Sequence, residues 1–223
     1  MVEVGDTRSD SGALLLKRAR CPALHARDPR SYLVFDFETT GLNPDTDRII
    51  QVGLCVVSDG MVADRFDWLV NQNVEVPRDA TRIHGISTED IRTRGIAPRD
   101  SVVRILEAMK RAPTCIGHNI HRFDVPFLLA ESRRLGVEAP DCGHFIDTAA
   151  IFKGRKLGMS EDPAESPRAY ADRVLSVRAP GLKYSIPTCL AELGIEAGTA
   201  RLHDASHDAY LTHLIFQTLR KTT

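Results

Sequence analysis

The sequence predicts an α/β domain, and three observations support this. Residues 32–37, YLVFDF, are almost all aliphatic or aromatic, which is typical of a strand buried on both faces of a sheet. Further β-rich runs alternate along the chain with segments of helical periodicity. The chain has 223 residues, 43% of them hydrophobic, and can therefore bury one full core. We expect a domain over residues 31–223, preceded by a loosely held polar arm at residues 1–30.

The first part of the domain is predicted to be an antiparallel meander. Strands are expected at residues 32–37, 49–57 and 61–70, and Asp59-Gly60 between the second and third indicates a tight hairpin. Ser87 and Asp90 have the spacing of a capping box, which predicts the start of a short helix. Pro98 is a typical first residue for the helix that follows to about residue 109.

The second part is predicted to mix short strands with longer helices. A strand is expected at residues 114–117, a helix at 124–135 ended by Gly136, and an extended segment at 145–151. Two closing helices are expected at 185–193 and 205–220. Before these two helices, residues 153–183 are rich in Gly and Pro and are predicted to be an inserted loop, with one helix from Pro167 to about residue 179.

The predicted insertion has an excess of positive charge. It contains seven Lys and Arg residues against four Asp and Glu residues, a local net charge of +3. Two interpretations are open: a solvated surface helix, or a flap that covers a substrate.

Composition excludes several classes of protein. The net charge of -1 lacks the basic excess of a general phosphate binder. The five cysteines include no C-x-x-C pair, so neither a zinc site nor a disulfide framework is indicated. No apolar run reaches the roughly 18 residues of a membrane span, and the acidic N-terminal segment is not typical of a secretory signal. We expect a cytoplasmic protein that has no membrane partner.

Two carboxylates interrupt the first predicted strand. Asp36 and Glu38 are two residues apart, so their side chains project from the same face. Two like charges held side by side repel each other and resist desolvation. Either the strand reaches solvent at this point, or a cation lies between the two carboxylates.

Two further acids lie on faces that are otherwise apolar. Asp208 lies on the same side of the last predicted helix as Leu211 and Ile215. Asp124 precedes Phe127 and Leu128 by three and four residues, although an Asp at a helix start can also be a simple cap.

These four acids form a plausible metal-binding set. Carboxylate oxygens are preferred ligands of hard divalent cations, and two such cations about 3.5–4 Å apart can activate water and stabilise the leaving oxygen in phosphodiester cleavage. The reaction also needs a base, for which a neutral histidine is suitable near pH 7. His203 and His207 both precede Asp208 closely, and helical geometry alone does not choose between them.

Five segments in order resemble the motifs of a known family. FDFETTG at 35–41, IIQVG at 49–53, IHGI at 83–86, GHNIHRFDVPFL at 117–128 and HDASHD at 203–208 resemble those of the DEDD-type 3′-to-5′ exonucleases. They are similar to the histidine-bearing, DnaQ-like branch, which includes the proofreading epsilon subunit of bacterial DNA polymerase III. The resemblance implies a ribonuclease H-like fold, a mixed five-stranded sheet flanked by helices.

The resemblance also implies roles for individual residues. Asp36, Glu38, Asp124 and Asp208 would hold two divalent cations, Mg²⁺ or Mn²⁺, and His203 would be the general base.

The turn after the two strand acids would receive the terminal nucleotide, through Thr39, Gly41 and Leu42. His84 and Asn119 would line the same pocket. Each has a structural alternative: Gly41 can serve the backbone alone, Asn119 can cap a turn, and His84 can be a hydrogen-bonded structural histidine.

The function expected from this resemblance is release of nucleoside 5′-monophosphates from the 3′ ends of a nucleic acid. DNA is favoured because FDFETTG looks more like the DNA-processing members, and the expected partners are single-stranded DNA, DNA 3′ ends and a DNA polymerase. One alternative is a 3′-to-5′ exoribonuclease, since no filter for the 2′-hydroxyl is identified. Another is an inactive module that binds nucleic acid or polymerase. Gln51 departs from the glutamate of many relatives, at a position with no metal role.

Overall fold

The computed structural model describes residues 29–196, 198 and 202–221, so residues 1–28 of the predicted arm lie outside the described residues. The described chain folds around one five-stranded mixed sheet. Its strands are β1 (Tyr32–Thr39), β2 (Ile49–Ser58), β3 (Met61–Leu69), β4 (Cys115–Gly117) and β5 (Ile146–Asp147). The strand order is β3-β2-β1-β4-β5. The first three strands pair antiparallel, as the sequence predicts, and β4 and β5 extend the sheet in parallel.

The described residues include eight helices around this sheet. They are α1 (Arg78–His84), α2 (Thr88–Arg94), α3 (Pro98–Arg111), α4 (Asp124–Leu135), α5 (Thr148–Leu157), α6 (Pro167–Ser176), α7 (Ile186–Leu193) and α8 (Ala205–Lys221). None of them combines the length and the apolar character needed to cross a bilayer.

Strand β1 is buried on both faces. Tyr32 and Val34 belong to the core beneath α5, α6 and α8, whereas Leu33, Phe35 and Phe37 belong to the core beneath α3 and α4. Because side chains alternate along a strand, the face that begins with Tyr32 and Val34 continues with the two strand acids. These acids therefore point toward the side of the sheet that α8 covers.

Local sequence signals account for several element boundaries. Asp59 and Gly60 have φ values of 52° and 81°, as a two-residue hairpin with matched twist requires. Ser87 forms the predicted capping box with Asp90, which begins α2. Gly136 ends α4 in a left-handed conformation.

Helix α1 is absent from the sequence-based prediction. It has seven residues and no side-chain cap at its N-terminus, so its sequence lacks the usual start signal. The helix ends at Gly85, which has a φ of 81°. Its last residue, His84, is thereby directed toward the candidate site.

The prediction of an extended segment at 145–151 followed by a loop from residue 153 is a second error. Only Ile146–Asp147 forms a strand, and α5 extends to Leu157. Lys153 and Gly154 suggested a loop, but Lys153 is buried and its ammonium donates to the carbonyl oxygens of Leu175 and Val177. A Cβ on Gly154 would lie 2.0 Å from the Tyr170 hydroxyl, so this helix position has room only for glycine.

Helix α6 packs onto the core and does not stand apart as a flap. Its side chains Tyr170, Ala171, Val174 and Leu175 are buried. Much of the charge around it is neutralised by ion pairs: Arg168 with Asp172, Arg173 with Glu165, and Lys156 with Glu192. The surface-helix interpretation therefore describes α6 better than the flap.

Candidate active site

A single cavity of about 1040 Å³ lies at the carboxyl end of β1. All ten residues that the sequence identifies as catalytic, metal-binding or substrate-binding line this cavity. They are Asp36, Glu38, Thr39, Gly41, Leu42, His84, Asn119, Asp124, His203 and Asp208. The fold thus brings together side chains that are far apart in the sequence.

Helix α8 lies unusually close to the sheet beside the two strand acids. A Cβ on Gly53 of β2 would lie 2.0 Å from the backbone carbon of Ala205, so this contact requires glycine. The Ala205 amide also donates to Oε1 of Gln51, at 3.3 Å. The first turn of α8 is therefore anchored on β2, and this places Asp208 opposite Glu38.

Asp124, the first residue of α4, is joined to β1. Its Oδ1 accepts a hydrogen bond from the backbone amide of Phe37, at 3.0 Å. Phe37 lies between the two strand acids in sequence, so the bond fixes the start of α4 beside them. Asp124 is only 2% exposed, which differs from the surface position expected of a simple helix cap.

His203, Glu38 and Asp208 offer ligand atoms that all lie within 4.8 Å of one another. The His203 amide donates to Oδ2 of Asp208 at 3.0 Å, and His203 has a φ of 63°. This left-handed conformation is uncommon for residues other than glycine and asparagine, and is found more often at functional sites.

The structure distinguishes the two candidate histidines. The exposed His203 lines the cavity, whereas His207 is buried and does not line it. The backbone amide of His207 donates to Asp204 at the start of α8. Of the two, His203 is the one placed to reach a substrate.

Burial, and to a smaller extent mutual repulsion, disfavours ionisation of the acids of the site. Burial, followed by the negative charge of Asp208, raises the pKa of Glu38 to about 8. Burial also raises the pKa of Asp124 to about 8, against the lowering effect of the hydrogen bond from Phe37. Desolvation, followed by the neighbouring carboxylates, raises the pKa of Asp36 well above its usual range. The described chain alone supplies too little positive charge for these groups to ionise together.

The donor set suits a divalent cation. Oδ1 of Asp208 is buried and has no hydrogen-bond partner within the described residues, although a buried carboxylate oxygen normally has one. Carboxylate oxygens of Glu38 and Asp208 lie within 4.8 Å of each other and of an imidazole nitrogen of His203, and carboxylate oxygens are preferred ligands of Mg²⁺ and Mn²⁺. The geometry thus supports a metal site made of acids, with a histidine beside it.

The other residues predicted to bind substrate form the walls of the cavity. Thr39 Oγ1 donates to the carbonyl oxygen of Gly41 at 2.6 Å, which closes the turn after β1. Leu42, next in the chain, is 84% exposed, an unusual position for a large aliphatic side chain. His84 Nδ1 accepts the Ile86 amide at 3.0 Å, so this ring is held in place by its own loop.

Sequence reasoning missed Asp147. This buried residue caps α5 by accepting hydrogen bonds from the amides of Ala149 and Ala150. Its Oδ1 also accepts the amide of Asn119 at 2.8 Å, and Asn119 has a φ of 61°. Asp147 therefore supports the loop that presents Asn119. An Asp directly before a helix is a recognised cap signal, but the expectation of an extended segment at 145–151 concealed it.

Comparison with known proteins identifies a family for most of the chain. The family model described as Exonuclease (RNase_T) matches residues 33–216. The 3′-5′ exonuclease DinG of Bacillus subtilis is 31% identical over 134 residues, which is 56% of this chain and 14% of DinG. The PolC-type DNA polymerase III of Thermotoga petrophila is 28% identical over 189 residues, 83% of this chain and 12% of the polymerase. The chain thus matches a small part of each relative.

Solved structures support the fold. Exonuclease I of E. coli, in complex with a dA16 oligonucleotide, superimposes with a TM-score of 0.65 at 20% identity. The match covers 86% of this chain and 41% of that chain. The zinc-bound form of the same enzyme with single-stranded DNA gives the same TM-score at 19% identity. These similarities confirm the predicted ribonuclease H-like sheet flanked by helices.

Proposed function

This chain belongs to the Exonuclease (RNase_T) family, and from that premise we propose that it removes nucleoside 5′-monophosphates one at a time from the 3′ ends of DNA. We place this activity in residues 31–223, with the segment at about 153–183 as an insertion within that domain. The observation that supports it most directly is the single cavity in which the four acids and His203 meet.

The proposed ligands of two divalent cations, Mg²⁺ or Mn²⁺, are Asp36, Glu38, Asp124 and Asp208. Bound there, the cations would offset the repulsion among the acids, help to activate a water molecule and stabilise the leaving oxygen. Asp124 contributes from a position fixed by its bond to β1. Asp208 contributes from the anchored first turn of α8.

His203 is the proposed general base. Its exposed imidazole lines the cavity, where it can accept the proton of the attacking water. Its backbone amide donates to Oδ2 of Asp208, which holds the His203 backbone beside this proposed metal ligand.

The terminal nucleotide is proposed to occupy the turn after β1. The exposed Leu42 side chain can pack against a base, and Gly41 lines the same cavity as the strand acids. DNA is the proposed substrate because relatives are named DNA polymerase III PolC-type, and solved relatives hold dA16 and dT13 oligonucleotides.

The direct test compares linear single-stranded DNA, linear RNA of the same sequence and circular single-stranded DNA. With Mg²⁺ or Mn²⁺, the linear DNA should shorten stepwise to mononucleotides while the circle survives. EDTA should stop the reaction. Cleavage of the circle would indicate an endonuclease, and faster hydrolysis of RNA would make the chain an exoribonuclease. Binding without hydrolysis under every metal condition would favour an inactive binding module.

A further inference from the structure

One wall of the cavity is formed by the segment that links α6 to α7, residues 177–185, which we call the strap. Lys183, Tyr184 and Ser185 of the strap line the cavity together with the acids of the site. The strap has no helix or strand of its own. Its position therefore depends on the side chains that hold it.

The side chain of Lys153 on α5 holds the start of the strap. Its ammonium donates to the carbonyl oxygens of Leu175 at 3.0 Å and Val177 at 2.7 Å. The same Nζ lies 5.1 Å from the centroid of the Tyr184 ring, above its face. The ammonium is thus bonded to the chain where the strap begins and stacked on the residue near its end.

His118 holds the end of the strap that leads into α7. Its Nε2 lies 2.7 Å from the carbonyl oxygen of Tyr184, and because a carbonyl only accepts, Nε2 must carry the proton. Its Nδ1 lies 2.9 Å from Thr148 Oγ1 at the start of α5. Lys153 lies on α5, and His118 is bonded to Thr148 at the start of the same helix. Because α5 packs in the core, the strap is a fixed wall of the cavity.

The strap region concentrates positive charge that no acid neutralises. Arg178 and Lys183 of the strap are exposed, as is Arg122 from the loop before α4. None of these three makes an ion pair within the described part of the chain. The other exposed or half-buried cations at 153–183 are paired: Lys156, Arg168 and Arg173.

Arg122 belongs to the same surface as the strap. Its Nη2 donates to Ser176 Oγ at 3.2 Å, directly before the strap begins. Its charge also acts on Lys153, whose pKa is lowered first by burial and then by Arg122. Of these three exposed cations, Lys183 lines the cavity that holds the acids, and Arg122 directly precedes Phe123, which also lines it, in a chain whose net charge is -1.

We propose that Arg122, Arg178 and Lys183 bind the phosphates of a single nucleic-acid strand whose end lies in the cavity. This inference rests on the proposed function. The acids of the site repel a polyanion, so the cations at its edge provide the attraction that the whole chain lacks. Unpaired bases suit the site because Leu42 and Ile83, which are large, apolar and more than half exposed, line the same cavity.

The test is the triple variant R122Q/R178Q/K183Q. For a dT16 substrate, KM should rise at least about tenfold at low salt. The slope of log KM against log salt concentration should fall by about 2, because each of three single-strand phosphate contacts contributes roughly 0.7. The kcat should stay near the wild-type value, since the lost binding is common to the ground state and the transition state.

The matched control is R92Q/R104Q/K110Q, which removes the same charge from exposed positions on α2 and α3. This control should keep the wild-type KM and salt slope. A second control is the p-nitrophenyl ester of thymidine 5′-monophosphate, a substrate with no upstream phosphate. The strap variant should lose far less kcat/KM for this ester than for dT16, and equal losses for the two substrates would contradict binding of upstream phosphates.

Equal effects in the two triple variants would refute the proposal, because net charge alone would then explain them. An unchanged KM for dT16 in the strap variant would also refute it.

Fluorescence anisotropy of labelled dT16 in EDTA measures binding without cleavage. If the wild type hydrolyses neither substrate, the proposed function fails, but a tenfold loss of dT16 binding in the strap variant alone would still support the strap. A wild type that neither hydrolyses dT16 in the presence of metal nor binds it would refute both proposals.

Discussion

Replacing Gly53 with alanine tests whether the first turn of α8 must lie against β2 for the site to form. The added Cβ would lie 2.0 Å from the Ala205 carbon, 2.1 Å from its oxygen and 2.3 Å from the Ser206 nitrogen. All three are backbone atoms, and Cβ contacts below 3.0 Å are essentially never observed. The helix turn that leads to Asp208 must therefore move by about 1 Å, on the scale at which catalytic groups lose their alignment.

The expected losses of unfolding free energy and of kcat follow from this displacement. Overpacking of a close contact typically costs about 1–3 kcal/mol of unfolding free energy. A displacement of about 1 Å can lower kcat roughly a hundredfold. Chemical denaturation measures the first quantity, and steady-state hydrolysis of single-stranded DNA with saturating metal measures the second. We expect both to decrease in G53A.

Gly60→Ala is the matched control. Gly60 lies in the hairpin between β2 and β3 with a φ of 81°, and no atom of the described residues lies within 4 Å of an added Cβ. Alanine there should cost about 1–2 kcal/mol through backbone strain and leave kcat unchanged. If G53A keeps the wild-type kcat, or if G60A lowers kcat equally, the close approach of α8 does not align the site.

Three further predictions concern other parts of the molecule. Asp208→Asn should lower kcat by more than the roughly 10- to 100-fold that is typical of losing a residue that only supports a metal ligand. Isothermal titration calorimetry with Mn²⁺ should show weaker metal binding, and undiminished kcat and metal affinity would exclude Asp208 as a ligand. His203→Ala should lower kcat by about 10²–10⁴-fold while His207→Asn changes it far less, and the reverse order would make His207 the base. Burial, followed by the charge of Arg220, lowers the pKa of His213 from 6.5 to about 4. The stability that the neutral ring contributes is therefore complete above pH 6.5 and is lost as pH falls toward 4, by at most about 3 kcal/mol. In urea unfolding, the free energy of unfolding of His213→Gln should fall less steeply with decreasing pH than that of the wild type, and an identical pH dependence would contradict this.

The sequence predicted most of the sheet because its signals there are local. Uninterrupted apolar runs indicate buried strands, and Asp59-Gly60 adopts the left-handed conformations that a tight hairpin needs. Ser87 and Gly136 likewise act through bonds to their own helices. The four acids were identifiable for a different reason, since acids on apolar faces conflict with the hydrophobic pattern around them. The roles of His203 and of the residues predicted to bind substrate came from the family resemblance and not from the pattern.

The errors lie where tertiary contacts override local signals. Lys153 marks a loop by composition, yet its ammonium is bonded to carbonyl groups at the end of another helix. Helix α1 has no cap in its sequence. The role of Asp147 depends on the amide of Asn119, which is close only in the folded chain. No periodicity in the sequence reports such contacts.

The topology of the sheet also determines when the candidate site comes into existence during folding. Strands β1 to β3 form a meander of sequence neighbours, so their pairing closes only short loops and can occur early. Asp36 and Glu38 lie on the first strand, whereas Asp208 lies on the last helix. A partly folded chain thus has Asp36 and Glu38 on its first strand but no complete acid set. The proposed nuclease site therefore forms only when α8 docks on the sheet and brings Asp208 to the other acids.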